Sequence, residues 1–259
     1  MIHYDVFNGD ADGLCALTQL RNAEPREARL VTGVNRDINL LDRVEAAAGS
    51  QVTVLDVSLD KNRAGLERVL AAGAEVFYCD HHFAGDIPQS DRLQAVINTA
   101  PDVCTSILVN EHLDGAFREW AVVGAFGDNL QDSARRIARP LALDETRLQQ
   151  LENLGIYINY NGYGSNLADL HFEPADLFRL ISPYGSPFDF MDDGRAHFDK
   201  LEQGYKQDMA TAESLAPEYR DDAVAVFMMP DEPWARRVSG VYSNDLANND
   251  PDRARSEER

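Results

Sequence analysis

The N-terminal part of the chain alternates short apolar runs with longer segments in which apolar residues recur at helical spacing. Short runs rich in β-branched and aromatic side chains predict strands, and the segments between them predict helices. The predicted strands cover residues 2–7, 28–34, 51–55, 74–79 and 94–97, and the predicted helices cover residues 13–22, 40–48 and 61–72. Strands that alternate with helices in this way are typical of βαβ units. The sequence therefore predicts an α/β fold, a parallel sheet with flanking helices.

After the last of these strands the pattern becomes mainly helical. Predicted helices cover residues 106–113, 119–126, 135–141, 145–160 and 174–181, and one long polar helix covers residues 192–215. Turn-forming residues at 159–164 and 182–187 predict loops. A strand at residues 223–229 and a helix at residues 236–249 follow, and the charged residues 250–259 are expected to fray.

This order of elements divides the chain into three parts. We predict a main domain at residues 1–190, which holds the sheet and the helical region. A connecting helix at residues 191–216 and a partial second α/β domain at residues 217–259 complete the chain. The length of 259 residues suits one large α/β domain with a smaller addition, and it is enough to bury a full core.

Composition and charge exclude several classes of function. The formal net charge is −20, so a broad basic face for long duplex nucleic acid is not expected. The sequence contains no run of about 18 or more apolar residues, so we expect no membrane span. The chain starts directly with a predicted strand and lacks the features of a signal peptide. Its three cysteines are an odd number without metal-binding spacing, which fits a reduced, cytoplasmic protein.

Carboxylates and imidazoles follow several of the predicted strands. Ligands of a parallel sheet bind beyond the carboxyl ends of its strands, so we expect these side chains to lie together. After the first, third and fourth strands come, in order, Asp10 and Asp12, then Asp56, then Asp80, His81 and His82. Asp128 ends a helical segment whose glycines let the backbone approach closely. So many carboxylates at one place need a counter-charge, and a divalent metal would supply it.

The ligand types indicate which metals fit. Carboxylates combined with imidazole suit Mn²⁺, Zn²⁺ or Co²⁺, and Mg²⁺ also binds carboxylates. Asp10 and Asp12 are spaced so that each can serve a different ion. Two ions about 3.5–4 Å apart form a clamp for hydrolysis of a phosphoryl ester, because they stabilise the attacking and leaving oxygens. The sequence therefore predicts two divalent cations, with Mn²⁺ favoured.

Four motifs in a fixed order make the chain resemble a known family. They are Asn8-Gly-Asp-Ala-Asp-Gly13, Val54-Leu-Asp56, Asp80-His-His82 and Gly127-Asp-Asn129. The chain is similar to the DHH phosphoesterase superfamily over roughly residues 1–185. That group includes the RecJ exonuclease, nanoRNases, pAp phosphatases, family II inorganic pyrophosphatases and cyclic dinucleotide phosphodiesterases.

The resemblance implies a role for each motif residue. Asp10 would hold the first cation, Asp56 would bridge both, and the second cation would be completed by Asp12, His81 and Asp128. His82 would contact the scissile phosphate, and Asp80 would orient an imidazole. Asn8 and Asn129 are candidates for a further metal contact or for support of the ligands.

The chain departs from the family pattern in two places. Many relatives have a histidine four residues before the position of Asp10, where this chain has Val6, and RecJ-like sequences have an aspartate in place of Asn8. The family also carries a small C-terminal domain with a loop of the Gly-Gly-Gly-His type. After residue 204 the only glycine here is Gly240. The chain therefore resembles a family member truncated within its C-terminal DHH-associated domain.

Three further groups are candidates for substrate contact. Thr105 and Ser106 begin a predicted helix, where they either cap the helix or contact a phosphate. Arg135 and Arg136 form a basic patch near Asp128, which is either a solvated helix face or a phosphate contact. Residues 159–164 are either an ordinary loop or the lining of a groove that stacks bases.

The leading hypothesis is a two-metal phosphodiesterase that acts on a small nucleotide or a short single-stranded oligonucleotide. One alternative is a phosphomonoesterase or pyrophosphatase that acts on pAp or pyrophosphate. The other is a catalytically weak nucleotide-binding protein. A homo-oligomer is compatible with the sequence, and a membrane partner is not expected.

Overall fold

The computed structural model describes residues 2–221 and 224–249. In this part of the chain the strands are β1 His3–Phe7, β2 Arg29–Val31, β3 Gln51–Leu55, β4 Glu75–Asp80, β5 Leu93–Ile97, β6 Tyr219–Arg220 and β7 Ala225–Val226. The α-helices are α1 Ala11–Ala23, α2 Leu59–Ala71, α3 Thr105–His112, α4 Arg118–Gly127, α5 Gln131–Ala138, α6 Glu145–Gly162, α7 Pro174–Ile181, α8 Pro187–Asp193, α9 Arg195–Glu213 and α10 Pro233–Asn249. The predicted α/β fold is therefore confirmed.

The first five strands form one parallel sheet in the order β2-β1-β3-β4-β5. Val6 pairs with Val54, and Val54 pairs with Tyr78 on the next strand. The chain runs from β1 to one side for β2 and then crosses to the other side for β3. A crevice opens where the strand order reverses in this way, and ligands of open α/β sheets bind there.

Alternate side chains of the central strands enter two different cores, as the two-residue period of a strand requires. Tyr4 and Val6 of β1 pack with α2 on one face of the sheet. Phe7, the next residue, packs on the opposite face with α1, α3, α4 and α6. Because both faces are covered, the strands read as nearly continuous apolar runs.

Close packing of α4 on α6 depends on two glycines. A side chain at Gly155 would collide with the carbonyl oxygen of Val123 and would lie 2.9 Å from the amide nitrogen of Gly127. A side chain at Gly127 would collide with Ala11 in the first turn of α1. This approach brings the end of α4, and with it Asp128, against the start of α1.

The predicted helix at residues 40–48 is wrong, because only Leu40–Arg43 forms a single 3₁₀ turn. Side chains of α2 bind the backbone of Leu41 at both its amide and its carbonyl group. The side-chain oxygen of Asn62 accepts the amide N–H of Leu41 at 3.0 Å, and Arg68 donates to the carbonyl oxygen of Leu41 at 2.7 Å.

The predicted loop at residues 159–164 is helical as far as Gly162. Asn161 joins the end of α6 to the next segment, since it exchanges two hydrogen bonds of 2.9 and 3.0 Å with the backbone of Phe172. Tyr160 is fully buried, so this side chain does not line an open groove for bases. The predicted helix at residues 192–215 is two helices that meet at Gly194, where a side chain would lie 2.6 Å from the carbonyl oxygen of Phe190.

The C-terminal part is a short antiparallel pair, β6 and β7, followed by α10. Helix α10 packs on α6 and α9 through a small core of Tyr160, Met209, Ala212, Val238 and Tyr242. The predicted strand at residues 223–229 is reduced to β7, with Ala223 outside the described residues. The expected fraying of residues 250–259 also lies outside them, and the three-part division remains a prediction. Within the described ranges no helix is both long and apolar enough to cross a membrane.

Candidate metal centre

Three of the four motifs meet at the carboxyl edge of the sheet. Phe7, Leu55 and Cys79 are paired in register on β1, β3 and β4. The residues that follow them, Asn8, Asp56 and Asp80, therefore lie side by side where the strands end. Parallel strands are about 4.8 Å apart, so these side chains are immediate neighbours.

Asp10 caps the first turn of α1 and is buried. Its Oδ1 accepts the amide N–H of Gly13 at 3.1 Å, and its Oδ2 accepts from Nδ2 of Asn35 at 2.8 Å. The carboxylate also lies within hydrogen-bonding reach of Asp56. Asn35 was not predicted as a site residue. Its only sequence signal is that it follows the second predicted strand, which also ends at this edge.

Asp12 is buried and joins α1 to the start of α3. Its two oxygens accept the backbone N–H groups of Thr105 and Ser106, each at 2.7 Å. The hydroxyl of Thr105 donates to Oδ1 of Asp56 at 3.2 Å, and that of Ser106 donates to the carbonyl oxygen of Asp12 at 2.8 Å. Both residues have no exposed surface. Thr105 and Ser106 therefore hold the carboxylates of Asp12 and Asp56 in place, and the alternative role of these two residues in phosphate contact remains a prediction.

The backbone turns sharply at Asp56, which has a φ of 59° in the left-handed region that aspartate tolerates. Its amide N–H donates to the carbonyl oxygen of Cys79 at 3.1 Å, so the turn is tied to β4. The carboxylate is buried and faces His81, whose Nε2 lies 3.4 Å from Oδ1. The left-handed backbone conformation of Asp56 directs its carboxylate towards the imidazole of His81.

His81 offers one nitrogen to a ligand. Its Nδ1 lies 3.0 Å from the carbonyl oxygen of Val103, which can only accept, so Nδ1 donates. Its Nε2 lies 3.9 Å from Oδ2 of Asp12 and 3.9 Å from Oδ2 of Asp128. Ligand atoms at these separations can surround a single ion that is bound about 2.0–2.2 Å from each of them.

His82 pairs with Asp80 and remains accessible. Its Nδ1 lies 2.8 Å from Oδ1 of Asp80, which is fully buried, while the His82 side chain is 45% exposed. Asp128 follows the last residue of α4, and its side chain is partly exposed. Asn129 has a φ of 60°, so it turns the chain after Asp128. The arrangement combines a buried ligand set with one accessible imidazole.

Comparison with known proteins finds solved structures that share this fold. No protein-family model and no curated protein matches the sequence. Solved structures do match: the exonuclease RecJ bound to manganese has a TM-score of 0.60 and 17% identity, with 96% of this chain and 73% of that chain covered. The DHH domain of a member of a ribosomal protein family has a TM-score of 0.63 and 12% identity, with coverages of 96% and 69%. RecJ from Thermus thermophilus in complex with Mn²⁺ has a TM-score of 0.56 and 17% identity, with coverages of 95% and 42%.

The chain has the DHH fold. At these identities the likeness shows the fold alone, which is the fold that the resemblance drawn from the four motifs implied. It also agrees with the five-stranded parallel sheet and the helices that cover it.

Burial and neighbouring charges in this DHH fold shift the pKa of several groups. Burial, together with the negative charge of Asp56, raises the pKa of Asp10 and of Asp12. Burial and the charge of Asp12 raise the pKa of Asp128 to about 8. Burial alone would lower the pKa of His81, but its hydrogen bond to Asp56 and the surrounding carboxylates raise it to about 11. Protons bound to these side chains thus partly offset the negative charge of the site, which a bound cation would neutralise.

The donor set fits divalent cations. Ligand atoms of Asp12, His81 and Asp128 lie within 4.8 Å of one another, and so do those of Asp56, His81 and His82. Oδ1 of Asn8 and Oδ2 of Asp80 are buried without a hydrogen-bond partner in the described part of the chain. Buried acceptors normally have a partner, and a bound cation or its water would provide one.

Two arginines that were predicted as a possible substrate contact follow Asp128 in the chain. Arg135 and Arg136 are on α5, half-exposed, and pair with Glu145 and Asp102 at 3.1 and 3.0 Å. Arg136 therefore braces the segment that includes Val103, the partner of His81. Their contact with a substrate remains a prediction. Cys79, which precedes Asp80 on β4, is buried.

Proposed function

We propose that this chain is a divalent-metal-dependent phosphoesterase that hydrolyses phosphodiester bonds in short oligonucleotides or small nucleotides by a two-metal mechanism. The observation that carries the proposal is the convergence of three carboxylates on Nε2 of His81. Asp12, Asp56 and Asp128 all approach this nitrogen within 3.9 Å, and His82 lies accessible beside them. Manganese is the favoured ion, because carboxylates with imidazole suit it and two structural neighbours are described with manganese.

The protein's own groups would prepare the site for the reaction. Divalent cations held here would supply positive charge that stabilises the phosphoryl transition state and would favour an attacking hydroxide at neutral pH. Val103 fixes the tautomer of His81, and the amides of α3 hold Asp12 in place, so little rearrangement is needed. His82, oriented by Asp80, would donate from Nε2 to an oxygen of the scissile phosphate.

Two features favour a small substrate that carries a base. The net charge of −20 disfavours a long polyanion, so recognition of phosphate is left to the cations. Phe83 follows His82 directly, and it is 72% exposed although its carbonyl oxygen accepts from the Ser58 hydroxyl at 2.9 Å. An exposed aromatic ring on an anchored backbone is suited to stacking against a nucleobase.

The second candidate is a phosphomonoesterase or pyrophosphatase. Arg135 and Arg136 favour it, since two half-exposed cations beyond Asp128 could meet a compact, highly charged phosphate. Both already pair with carboxylates, so we rank this candidate second. A catalytically weak nucleotide-binding protein is the third. Cytoplasmic location and a homo-oligomer remain predictions.

A turnover screen tests the proposal. The full chain with Mn²⁺ is offered a dinucleotide, pAp, pyrophosphate, a short single-stranded DNA and a long duplex DNA. We expect hydrolysis of the dinucleotide, its loss in EDTA, and little action on the duplex. His81→Ala should lower the rate at least about 100-fold, since even partners of metal ligands contribute 10–100-fold. His112→Ala, an exposed histidine on α3, is the matched control. Absence of hydrolysis, or His81→Ala with unchanged Mn²⁺-dependent turnover, would overturn the proposal.

A further inference from the structure

We infer that the two cation positions are unequal in strength and in chemistry, an inference that rests on the proposed function. We call the first the imidazole position, formed by Asp12, Asp128 and His81 with Asp56. We call the second the oxygen position, formed by Asn8 and Asp10 with Asp56. The imidazole position binds its ion tightly. The oxygen position binds a hard cation weakly, and Asn35 holds one of its ligand residues, Asp10.

The positions are unequal because His81 offers them only one nitrogen. His81 uses Nδ1 to donate to Val103, so only Nε2 can bind a cation. One nitrogen lone pair serves one ion, and this nitrogen lies near Asp12, Asp56 and Asp128. His82 uses its Nδ1 to donate to Asp80. The imidazole position is therefore complete within the protein.

The oxygen position has fewer charges. Asn8 lies beside Asp56 by strand register, and its amide N–H donates to the carbonyl oxygen of Leu55 at 3.3 Å. Its Oδ1 is buried without a partner among the described residues. An amide oxygen can bind a hard cation but brings no negative charge. The set therefore consists of carboxylates from Asp10 and Asp56 and one neutral oxygen.

Asn35 affects the oxygen position through its hydrogen bond to Asp10. Its Nδ2 donates to Oδ2 of Asp10 at 2.8 Å, and its backbone N–H donates to the carbonyl oxygen of Gly162 at 3.0 Å. The end of α6 thus anchors Asn35, and Asn35 holds one oxygen of Asp10. A cation that uses this oxygen competes with the amide hydrogen for it.

The two positions should also differ in metal preference. Imidazole nitrogen suits Zn²⁺, Co²⁺ and Mn²⁺, whereas an all-oxygen set suits Mg²⁺ and Mn²⁺. A chain given one equivalent of Zn²⁺ should hold it at the imidazole position. Added Mg²⁺ should then enter the oxygen position without displacing it.

Metal binding without substrate tests the inference. Mn²⁺ is titrated into the metal-free full chain, and bound ions are followed by calorimetry and by the paramagnetic resonance signal of free Mn²⁺. We expect one ion to bind about 100-fold more tightly than the second, a spread that ligand charge and site rigidity produce in other sites. Two ions of equal affinity would overturn the inference, and so would displacement of the single Zn²⁺ by Mg²⁺.

Variants that add a negative charge to one position give a second test of the inference. Asn8→Asp should tighten the weaker ion about 10-fold and leave the tighter ion within twofold. Asn35→Asp, which replaces the amide donor with a carboxylate, should act in the same direction. Asn153→Asp adds the same charge on α6, outside the proposed ligand set, and should leave the weaker ion unchanged. An Asn8→Asp chain that keeps its fold by circular dichroism but binds the weaker ion no more tightly would overturn the inference.

The outcome is separable from that of the proposed function. A chain that binds two unequal ions and hydrolyses none of the offered substrates would refute the proposed function alone. A chain that hydrolyses a dinucleotide with two equally tight ions would refute the inference alone.

Discussion

Nδ1 of His82 lies 2.8 Å from Oδ1 of Asp80, a carboxylate with no exposed surface at the end of β4. A carboxylate accepts, so the imidazole donates through Nδ1 and its ring plane is fixed. Burial alone would lower the pKa of His82, but the hydrogen bond to Asp80 and the nearby carboxylates raise it. Asp80 is thus a positioning residue that acts through His82.

A double-mutant cycle tests this relationship. Asp80→Asn should lower kcat about 10–100-fold, as is typical when the partner of a functional imidazole is changed. The Asp80→Asn/His82→Ala double variant should be no slower than His82→Ala alone if Asp80 acts through its hydrogen bond to His82. Rates are measured with the dinucleotide at saturating Mn²⁺. Losses that multiply in the double variant would show that Asp80 acts independently.

Thr105 and Ser106 should separate metal binding from stability. Thr105→Val removes the hydroxyl that donates to Asp56, so Mn²⁺ affinity should fall about 10-fold. Ser106→Ala removes a hydrogen bond to the backbone of Asp12 and leaves the ligand oxygens untouched. Each variant should lose about 1 kcal/mol of unfolding free energy. Calorimetry and urea denaturation provide the two readouts, and equal Mn²⁺ affinities in both variants would contradict the assignment.

The core of the fold and the clustering of its acidic and histidine side chains could be predicted because their signals are local. β1, β3 and β4 are short apolar runs, and Asp10, Asp56 and His81 stand where such runs end. The parts that escaped prediction depend on contacts between distant residues. Asn35 reaches Asp10 across 25 positions. Asn62 and Arg68 on α2 turn the predicted helix at 40–48 into a single 3₁₀ turn.

The roles of Thr105 and Ser106 escaped for the same reason. The start of a helix predicts a cap or an anion site, and only the fold brings Asp12 to those amides from 93 positions away. Asn and Gly at residues 159–164 are typical of a loop, but hydrogen bonds to Phe172 extend α6 through Asn161. Local propensity was overridden by tertiary contacts in both cases.

Gly155→Ala should destabilise the protein and weaken metal binding together. The added methyl group would force α6 away from α4 at Val123 and Gly127, and overpacking of this kind costs about 1–3 kcal/mol. Asp128 follows α4 directly, so its ligand oxygen would move with the helix. Gly185→Ala is the control, since its nearest neighbour, a ring carbon of Phe117, is 4.0 Å away. Urea denaturation and Mn²⁺ titration of both variants check the result, and an unaffected Gly155→Ala would contradict the packing argument.

Phe83 should distinguish substrates that carry a base from those that do not. If its exposed ring stacks on a nucleobase, Phe83→Ala should raise KM for a dinucleotide about 10-fold, since such stacking contributes roughly 1–3 kcal/mol. KM for pyrophosphate should stay the same if that compound is hydrolysed. Phe83→Tyr keeps the aromatic face and should behave like the parent chain. A KM increase with both substrates would instead indicate a disturbed His82.

A polar network outside the metal centre holds α10 on the main body. The hydroxyl of Tyr160 donates to Asp208, and Arg237 on α10 donates to both of them, at 3.0 Å to the hydroxyl and 2.8 Å to the carboxylate. Nε2 of His171 lies 2.9 Å from the same hydroxyl. Lys200 on α9 donates to the backbone of His171 at 2.6 Å, which adds a second positive charge.

Acid should loosen this network through His171. Burial, and then the charge of Arg237, lower its pKa to about 4, against an unfolded value of about 6.5. Above the unfolded pKa the imidazole is neutral in both states and its contribution is complete. As the pH falls from 6.5 towards 4 the unfolded chain takes up the proton first, so stability is lost, by at most about 3 kcal/mol. Urea denaturation of the metal-free chain and of His171→Gln at pH 7 and pH 4.5 isolates the effect. The parent chain should lose roughly 2 kcal/mol more than the variant, and parallel losses would show that other groups carry the acid sensitivity.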